Sequence, residues 1–325
     1  MNLYTETTLF FENMLRTNEW PDLKATFHRF AAQQPQAWKL PQLACEAVGG
    51  PKDQAIPGVT ALACAQISII LIDDMLDNDP RGDYHRLGHA ATSNLAVSFC
   101  SAGIKALQPP FLSPAPPAIT QSLSQMMLIT SLGQYLDSQG VQDEEAYWKL
   151  VQFKSSPFYG AALQIGALLG GADEHQAEQL FHLGQLYGAI IQLHDDINDT
   201  MDSPASPDWT NPATSLPILF ATCVNHPDRA RFLTLRQKSH EPEALQEAQT
   251  ILLRCGAISY AVDQLLQKYL MAQKLLKKTP LKKREELEKI LTEVINPVLR
   301  VYDATTSLEE KPELLQLVTA LDGGE

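Results

Sequence analysis

The sequence predicts an all-α protein folded as one helical bundle, on three observations. Apolar residues recur at helical spacing along most of the 325 residues, and stretches alternating with a period of two are scarce. The breaks between these runs carry residues that end helices: Gly49-Gly50-Pro51, Pro109-Pro110 and Gly170-Gly171. The composition, 45% apolar and 19% charged, is that of a globular chain.

Taken in order, the spacing predicts helices over Glu6–Arg16, Asp22–Gln33, Pro57–Leu76, Asp83–Leu107 and Ala118–Ser138. Asp143–Leu169 follows as one long helix kinked near Pro157, then Glu174–Ile197 and Thr214–Val224. Glu241–Arg254, Ala257–Lys277 and Lys282–Ala304 complete the set. Between two of these, the proline-rich stretch Thr200–Pro212 is expected to be irregular. No composition shift marks an internal boundary, so residues 1–305 are expected to form one domain, with a polar extension over 306–325. Lys274–Lys289, rich in Lys, Arg and Glu, is expected to be a solvated helix face.

Charge and cysteine content exclude several function classes. A net charge of -13 argues against a nucleic-acid partner, which needs clustered Lys and Arg. The five cysteines are scattered without a Cys-x-x-Cys, which indicates reduced thiols rather than a zinc site or disulfide scaffold. The first residues lack the basic and apolar regions of a signal peptide. The strongly apolar stretch Val59–Ile72 is shorter than the ~20 residues a transmembrane helix needs. A soluble, cytoplasmic protein with no transmembrane segment is expected.

Two acidic clusters carry the chemistry. Asp73-Asp74-Met75-Leu76-Asp77 ends one apolar helical run, and Asp195-Asp196-Ile197-Asn198-Asp199 ends another. Helical spacing puts Asp73 beside Asp77, and Asp195 beside Asp199. Like charges at that spacing repel, and carboxylates in a last turn face the negative end of the helix dipole. A bound cation removes both conflicts. Open, all-carboxylate sets suit Mg²⁺, which completes its shell with waters and phosphate oxygens. No Glu-x-x-His pair occurs, which disfavours a di-iron bundle. Magnesium between two such walls would bind a diphosphate, which explains how an acidic chain could take an anionic substrate. Ionisation of an allylic diphosphate in a dry apolar chamber is the chemistry expected.

With these motifs in place, the chain resembles the trans-prenyltransferase and class I terpene synthase superfamily, above all the polyprenyl synthetases. The likeness runs from about Glu46 to Lys278. Both aspartate motifs match, the second with its preceding Gln192. Gln66 stands where the family has His or Gln, and Gly133-Gln134 with Asp137 looks like its Gly-Gln-x-x-Asp stretch. Lys154-Ser155-Ser156 matches Lys-Thr-Gly, and Gly166–Gly171 matches Gly-Ala-Leu-x-Gly-Gly. The resemblance implies an isoprenoid-synthase-type bundle around a central apolar cavity, three Mg²⁺ ions and commonly a homodimer. By the same resemblance, Asp73 and Asp77 bridge two of the ions and Asp195 holds the third with Asp199. Asp74 and Asp196 act through water, and Lys154, Arg81 and Gln192 contact or orient the diphosphate. Ala65, Ser68 and Ile69, before the first motif, shape the cavity with Gln66. The residues themselves leave two roles open for the aromatics Phe158, Tyr159 and Tyr187: packing in the core, or offering ring faces to a carbocation.

The pattern breaks at the acceptor side. Where chain-elongating members carry a basic Gly-Gly-Lys-Arg-x-Arg-Pro segment, this chain reads Gln33-Gln34-Pro35-Gln36-Ala37-Trp38-Lys39. The Arg pair after the first motif is reduced to Arg81, and no lysine occurs between Lys154 and Lys238. Each lost charge-assisted contact is worth about 1.5–3 kcal/mol. The first expectation is therefore ionisation of a C15–C20 prenyl diphosphate, including one already cyclised. Pyrophosphate is released, and the cation is quenched by proton loss, water or an acceptor other than isopentenyl diphosphate. The alternative is chain elongation with isopentenyl diphosphate, or transfer to an aromatic or peptide acceptor. A non-catalytic partner subunit is disfavoured because both motifs are kept.

Overall fold

A computed structural model of the protein describes residues 2–15, 20–114, 116–210 and 215–305. The polar extension expected over 306–325 lies outside them, as do Arg16, Thr214 and the Asn211-Pro212 end of the proline-rich stretch.

Every regular element among the described residues is helical. In chain order these are α1 (Leu3–Leu15), α2 (Pro21–Ala32), α3 (Leu40–Val48), α4 (Ile56–Leu76), α5 (Tyr84–Leu87), α6 (His89–Ala106), α7 (Pro117–Gln139) and α8 (Glu144–Lys154). The second half comprises α9 (Ser156–Leu169), α10 (Glu174–Met201), α11 (Leu216–Cys223), α12 (Arg229–Arg236), α13 (Pro242–Arg254), α14 (Ala257–Lys278) and α15 (Glu285–Thr305). Single 3₁₀ turns precede α3 and α4, and a third covers Pro207–Trp209.

The differences from expectation have local causes. Asp83–Leu107 divides into α5 and α6 at Gly88, whose φ of 83° lies in the region only glycine adopts easily. Asp143–Leu169 divides at Ser155 into α8 and α9, with Pro157 in the first turn of α9. There its missing N–H costs nothing, and the expected kink becomes a change of helix. Helices α3 and α12 were not expected: α3 is a short helix with Pro41 in its first turn and Gly49 ending it, and α12 is too rich in Arg to show an apolar stripe.

α4 sits at the centre. It is apolar all round, so it gains stability only by being buried on every side, and Val59, Leu62, Ile67 and Leu71 are. With its preceding turn (Lys52–Leu76) it is long and apolar enough to cross a membrane, longer than the sequence indicated. Yet α1, α6 and α9 pack on it, and 67% of the apolar window is buried. α10 runs along α9, held close because any side chain at Gly184 would strike the Tyr159 backbone. A stack of Phe27, Phe11 and Phe99 ties α2, α1 and α6 together. A smaller cluster around Trp209, Phe232 and Leu252 joins α11, α12 and α13. The C-terminal ends of α4 and α10 carry the two acidic motifs, and side chains from both ends line one pocket.

Candidate active site

The last turn of α4 carries Asp73 and Asp74, and its hydrogen bonding runs on to Asp77, whose N–H donates to the Asp73 carbonyl at 2.9 Å. Asn78 then turns the chain with a φ of 54°, a conformation asparagine tolerates better than most residues. Asp79 follows, its N–H donating to the Asp74 carbonyl at 2.9 Å. The Asp79 carboxylate accepts from the Arg81 backbone N–H at 2.7 Å, from Nε at 3.0 Å and from a terminal nitrogen at 2.7 Å. Arg81 is therefore held in a fork, with its side chain 89% exposed.

α7 and α8 bring the opposing wall. A Cβ at Gly133 would collide with the backbone of Phe153 and Lys154, so the glycine lets α7 lie directly against the end of α8. That contact puts Gln134 and Asp137 beside Lys154. The Gln134 amide donates to Asp73 Oδ1 at 3.2 Å. The Lys154 ammonium donates to Asp137 and lies 3.5 Å from Asp73 Oδ1. One carboxylate oxygen from each of Asp73, Asp77 and Asp137 lies within 4.8 Å of the others. Burial pushes the Lys154 pKa down, but Asp73 and Asp137 more than offset it and the net shift is upward. Burial and the charge of Asp73 raise that of Asp77. Burial, Asp79 and Asp73 push Asp74 up to about 6.

The second motif closes the space from α10. Asp196 is buried and satisfied by three donors: the Tyr147 phenol on Oδ2 at 2.7 Å, the Leu216 N–H on Oδ2 at 2.8 Å, and the Gln192 amide on Oδ1 at 2.8 Å. Burial still pushes it up to about 6, against the pull of those bonds. Gln192 in turn accepts from the Ser155 hydroxyl at 2.5 Å.

These walls enclose a pocket of about 800 Å³ lined, among the described residues, by eight carboxylates and two cations, Arg81 and Lys154. The carboxylates are Asp73, Asp74, Asp77, Asp79, Asp137, Asp196, Asp199 and Asp208. Of the expected residues, the pocket gathers every first-motif aspartate, both cations, Gln192, Asp196 and Asp199. Asp195 is not in its lining; its carboxylate is 60% exposed and lies 3.8 Å from His194 Nδ1. Asp196, expected to act through water, is instead a junction of protein hydrogen bonds.

The expected cavity residues scatter. Ala65 lines an apolar cavity of about 170 Å³ between α4, α6 and α7, with Cys100, Gly103, Leu123 and Met127. Ser68 is buried and its hydroxyl donates to the Ala96 carbonyl at 2.8 Å, tying α4 to α6. Ile69 packs on the core, and its neighbour Ile70 lines the acidic pocket. Gln66 accepts a 2.7 Å hydrogen bond from the Trp38 indole. Phe158 is buried, while Tyr159 meets Phe158 and Tyr187 edge-on.

The sequence pattern assigns no role to Asp79, Tyr147 or Asp208, and it marks Asp137 only as part of the Gly-Gln-x-x-Asp stretch. For Asp137 a signal existed, because Gln134 and Asp137 share a helix face. Asp208 comes from the proline-rich loop, where no period points a side chain inward; burial, Asp196 and Asp199 push it up to about 7.

The model of the polyprenyl synthetase family matches residues 39–252. This chain belongs to that family. The match takes in both aspartate motifs and Lys154. Among similar proteins are a nonaprenyl diphosphate synthase of Mycobacterium tuberculosis, 34% identical over 138 residues, and a geranylgeranyl diphosphate synthase of Methanosarcina mazei, 30% identical over 167. These alignments cover 40% and 48% of this chain, and 41% and 52% of the relatives, so the chain spans about half the length of the proteins it matches. The crystal structure of a decaprenyl diphosphate synthase from Rhodobacter capsulatus superposes with a TM-score of 0.77 at 16% identity, over 90% of this chain and 95% of that one. At that identity the likeness shows a shared fold, the all-α fold of the family.

Proposed function

We propose that this chain is a magnesium-dependent prenyltransferase that ionises an allylic prenyl diphosphate and joins the prenyl group to isopentenyl diphosphate. The observation that carries the reading is the convergence of both acidic motifs, from two helix ends 122 positions apart in sequence (73 and 195), on one pocket that also holds Lys154 and Arg81. The names of the similar proteins are those of prenyl diphosphate synthases, which favours elongation over the ionise-and-quench reaction expected first.

The pocket's residues fit magnesium. Asp73, Asp77 and Asp137 offer three hard oxygens within reach of one ion, and a positive charge, the Lys154 ammonium, is already drawn among them. Bound magnesium would neutralise charge developing on the leaving diphosphate; three ions are consistent with the number of carboxylates. Lys154 and Arg81 hold the diphosphate oxygens, and Gln192, fixed by Ser155 and Asp196, orients them. The C–O bond breaks with its electron pair leaving on the diphosphate. The double bond of isopentenyl diphosphate captures the cation, and a proton is lost. The apolar cavity beside Ala65, of about 170 Å³, is the candidate for the far end of a C15–C20 chain. A homodimer is supported by the exposed apolar face of α7, where Leu128, Leu132 and Tyr135 line up, with Val97 exposed on neighbouring α6.

A second reading, ionisation without isopentenyl diphosphate, is favoured by one feature. In the segment Gln33–Lys39 the only cation is Lys39, and the buried Trp38 spends its N–H on Gln66. Incubation with C10, C15 and C20 allylic diphosphates, magnesium and labelled isopentenyl diphosphate decides. Label in a longer product supports elongation. Pyrophosphate released equally well without isopentenyl diphosphate supports the second reading. No pyrophosphate from any substrate sinks both.

A further inference from the structure

Both cations of the pocket are already engaged by carboxylates, but not equally. Arg81 is clamped by Asp79 at the rim, where solvent makes such a pair weak and easily opened. Lys154 is deeper. Its side chain is 25% exposed, and its partners Asp137 and Asp73 are 16% and 31% exposed. Its ammonium stands at the very carboxylates whose oxygens come within 4.8 Å of one another.

We propose that Lys154 is the counter-ion of the metal-free site. It offsets part of the charge of Asp73, Asp77 and Asp137 until a divalent cation takes them over, and only then is it free to grip a diphosphate. A lysine and a divalent ion cannot both occupy that space, since their like charges would face each other across a few ångströms. Their occupancies are therefore linked. Whatever the lysine's contacts contribute is subtracted from metal affinity, and by reciprocity metal weakens the lysine's hold by the same factor. The consequence is an order of events. Without metal, an incoming diphosphate meets an excess of carboxylates over cations and a committed lysine. With metal, it meets bound cations and a freed ammonium. The part of this statement that concerns diphosphate rests on the transferase reading above; the competition between lysine and metal does not.

The test is a calorimetric titration of Mn²⁺ into the full chain with no diphosphate present. Lys154→Met and Lys154→Gln are compared with wild type and with Lys149→Met. Lys149 is an exposed lysine on the same helix, outside the pocket lining, so its loss makes the same change in net charge. The glutamine variant keeps an amide donor for Asp137 and guards against failure to fold. Both Lys154 variants are expected to bind the first Mn²⁺ about tenfold more tightly than wild type. Lys149→Met should stay within about twofold, as a screened surface charge does. Unchanged or weaker binding in both Lys154 variants overturns the proposal, and so does equal tightening in Lys149→Met. Because the titration is read without turnover, a wild-type chain that transfers no prenyl group counts against the transferase reading alone.

Discussion

The Tyr147 phenol donates a 2.7 Å hydrogen bond to Asp196 Oδ2, joining α8 to the second acidic motif between two buried side chains. The carboxylate also takes the Leu216 N–H and the Gln192 amide, so one side chain ties α8, α10 and α11 together. Buried bonds to a charged group are worth about 1.5–3 kcal/mol each. Tyr147→Phe should therefore lower stability by about that amount, leaving one lone pair unserved. Asp196→Ala should cost more, about 3–5 kcal/mol, because three donors lose their partner at once. Denaturant melts of the two variants check the order. An Asp196→Ala protein as stable as wild type would remove Asp196 from this structural role.

The two exposed ends of the second motif should differ in activity. Asp199 lines the acidic pocket and Asp195 does not. Asp199→Ala is expected to lower kcat/KM about 100-fold, the order seen when a group that stabilises a developing charge is lost. Asp195→Ala should cost clearly less. The reverse ranking, in steady-state assays at saturating magnesium, would mean that α10 turns when metal is bound.

What could be read from sequence divides along this same line. Helical spacing was enough to place Asp73 beside Asp77 and to bring two motifs to the ends of two apolar helices. It was not enough to say which second-motif aspartate points inward. That depends on the rotation of α10, fixed by Tyr147 and by the Leu216 backbone, 49 and 20 residues away in sequence. The same holds for the expected cavity. Ile69 and Ile70 differ by one step of the helix, and only the packing of α4 against its neighbours, α7 among them, decides which reaches the pocket. Asp208 was illegible for another reason: a loop has no period.

Like charges crowded in the metal-free pocket should show in its pH dependence. Asp74 is pushed from an ordinary 3.8 to about 6, first by burial and then by Asp79 and Asp73. In the unfolded chain it ionises near its ordinary value, whereas the fold resists until about 6. Stability from this group is thus full below about pH 4, declines as pH rises through 6, and stays lower above. Asp74→Asn should match wild type at acid pH and melt roughly 2–4 °C higher at pH 8 without metal. Magnesium should narrow that gap. A variant less stable than wild type at pH 8 would contradict the sign.

Gly133 offers a test of how the two walls are joined. Its lack of a side chain is what allows α7 to touch the backbone at Phe153 and Lys154. Gly133→Ala forces the helices apart at backbone rather than at a flexible side chain, and overpacking of this kind costs about 1–3 kcal/mol. The displaced residues are Gln134 and Asp137, so Asp73 loses an amide donor and Lys154 its closest carboxylate. Activity should fall further than stability alone explains, since the fold survives such a loss but the pocket geometry does not. The comparison to make is kcat/KM measured well below the melting temperature. Full activity with reduced stability would show that the α7–α8 contact supports the bundle and not the site.

Ala65 tests where the prenyl chain goes. It lines the apolar cavity with Cys100, Gly103 and Met127, and its small side chain keeps open a space of about 170 Å³. Ala65→Phe would fill most of that space with a rigid ring while leaving the acidic pocket untouched. If the chain's far end lodges there, the variant should keep its rate with a C10 diphosphate, lose rate with C20, and release shorter products. Product mass spectrometry against a C10–C20 series reads this directly. An unchanged product length in a folded, active variant would mean that the chain leaves the acidic pocket by another route, with the partly buried Tyr159–Tyr187 pair the next place to look.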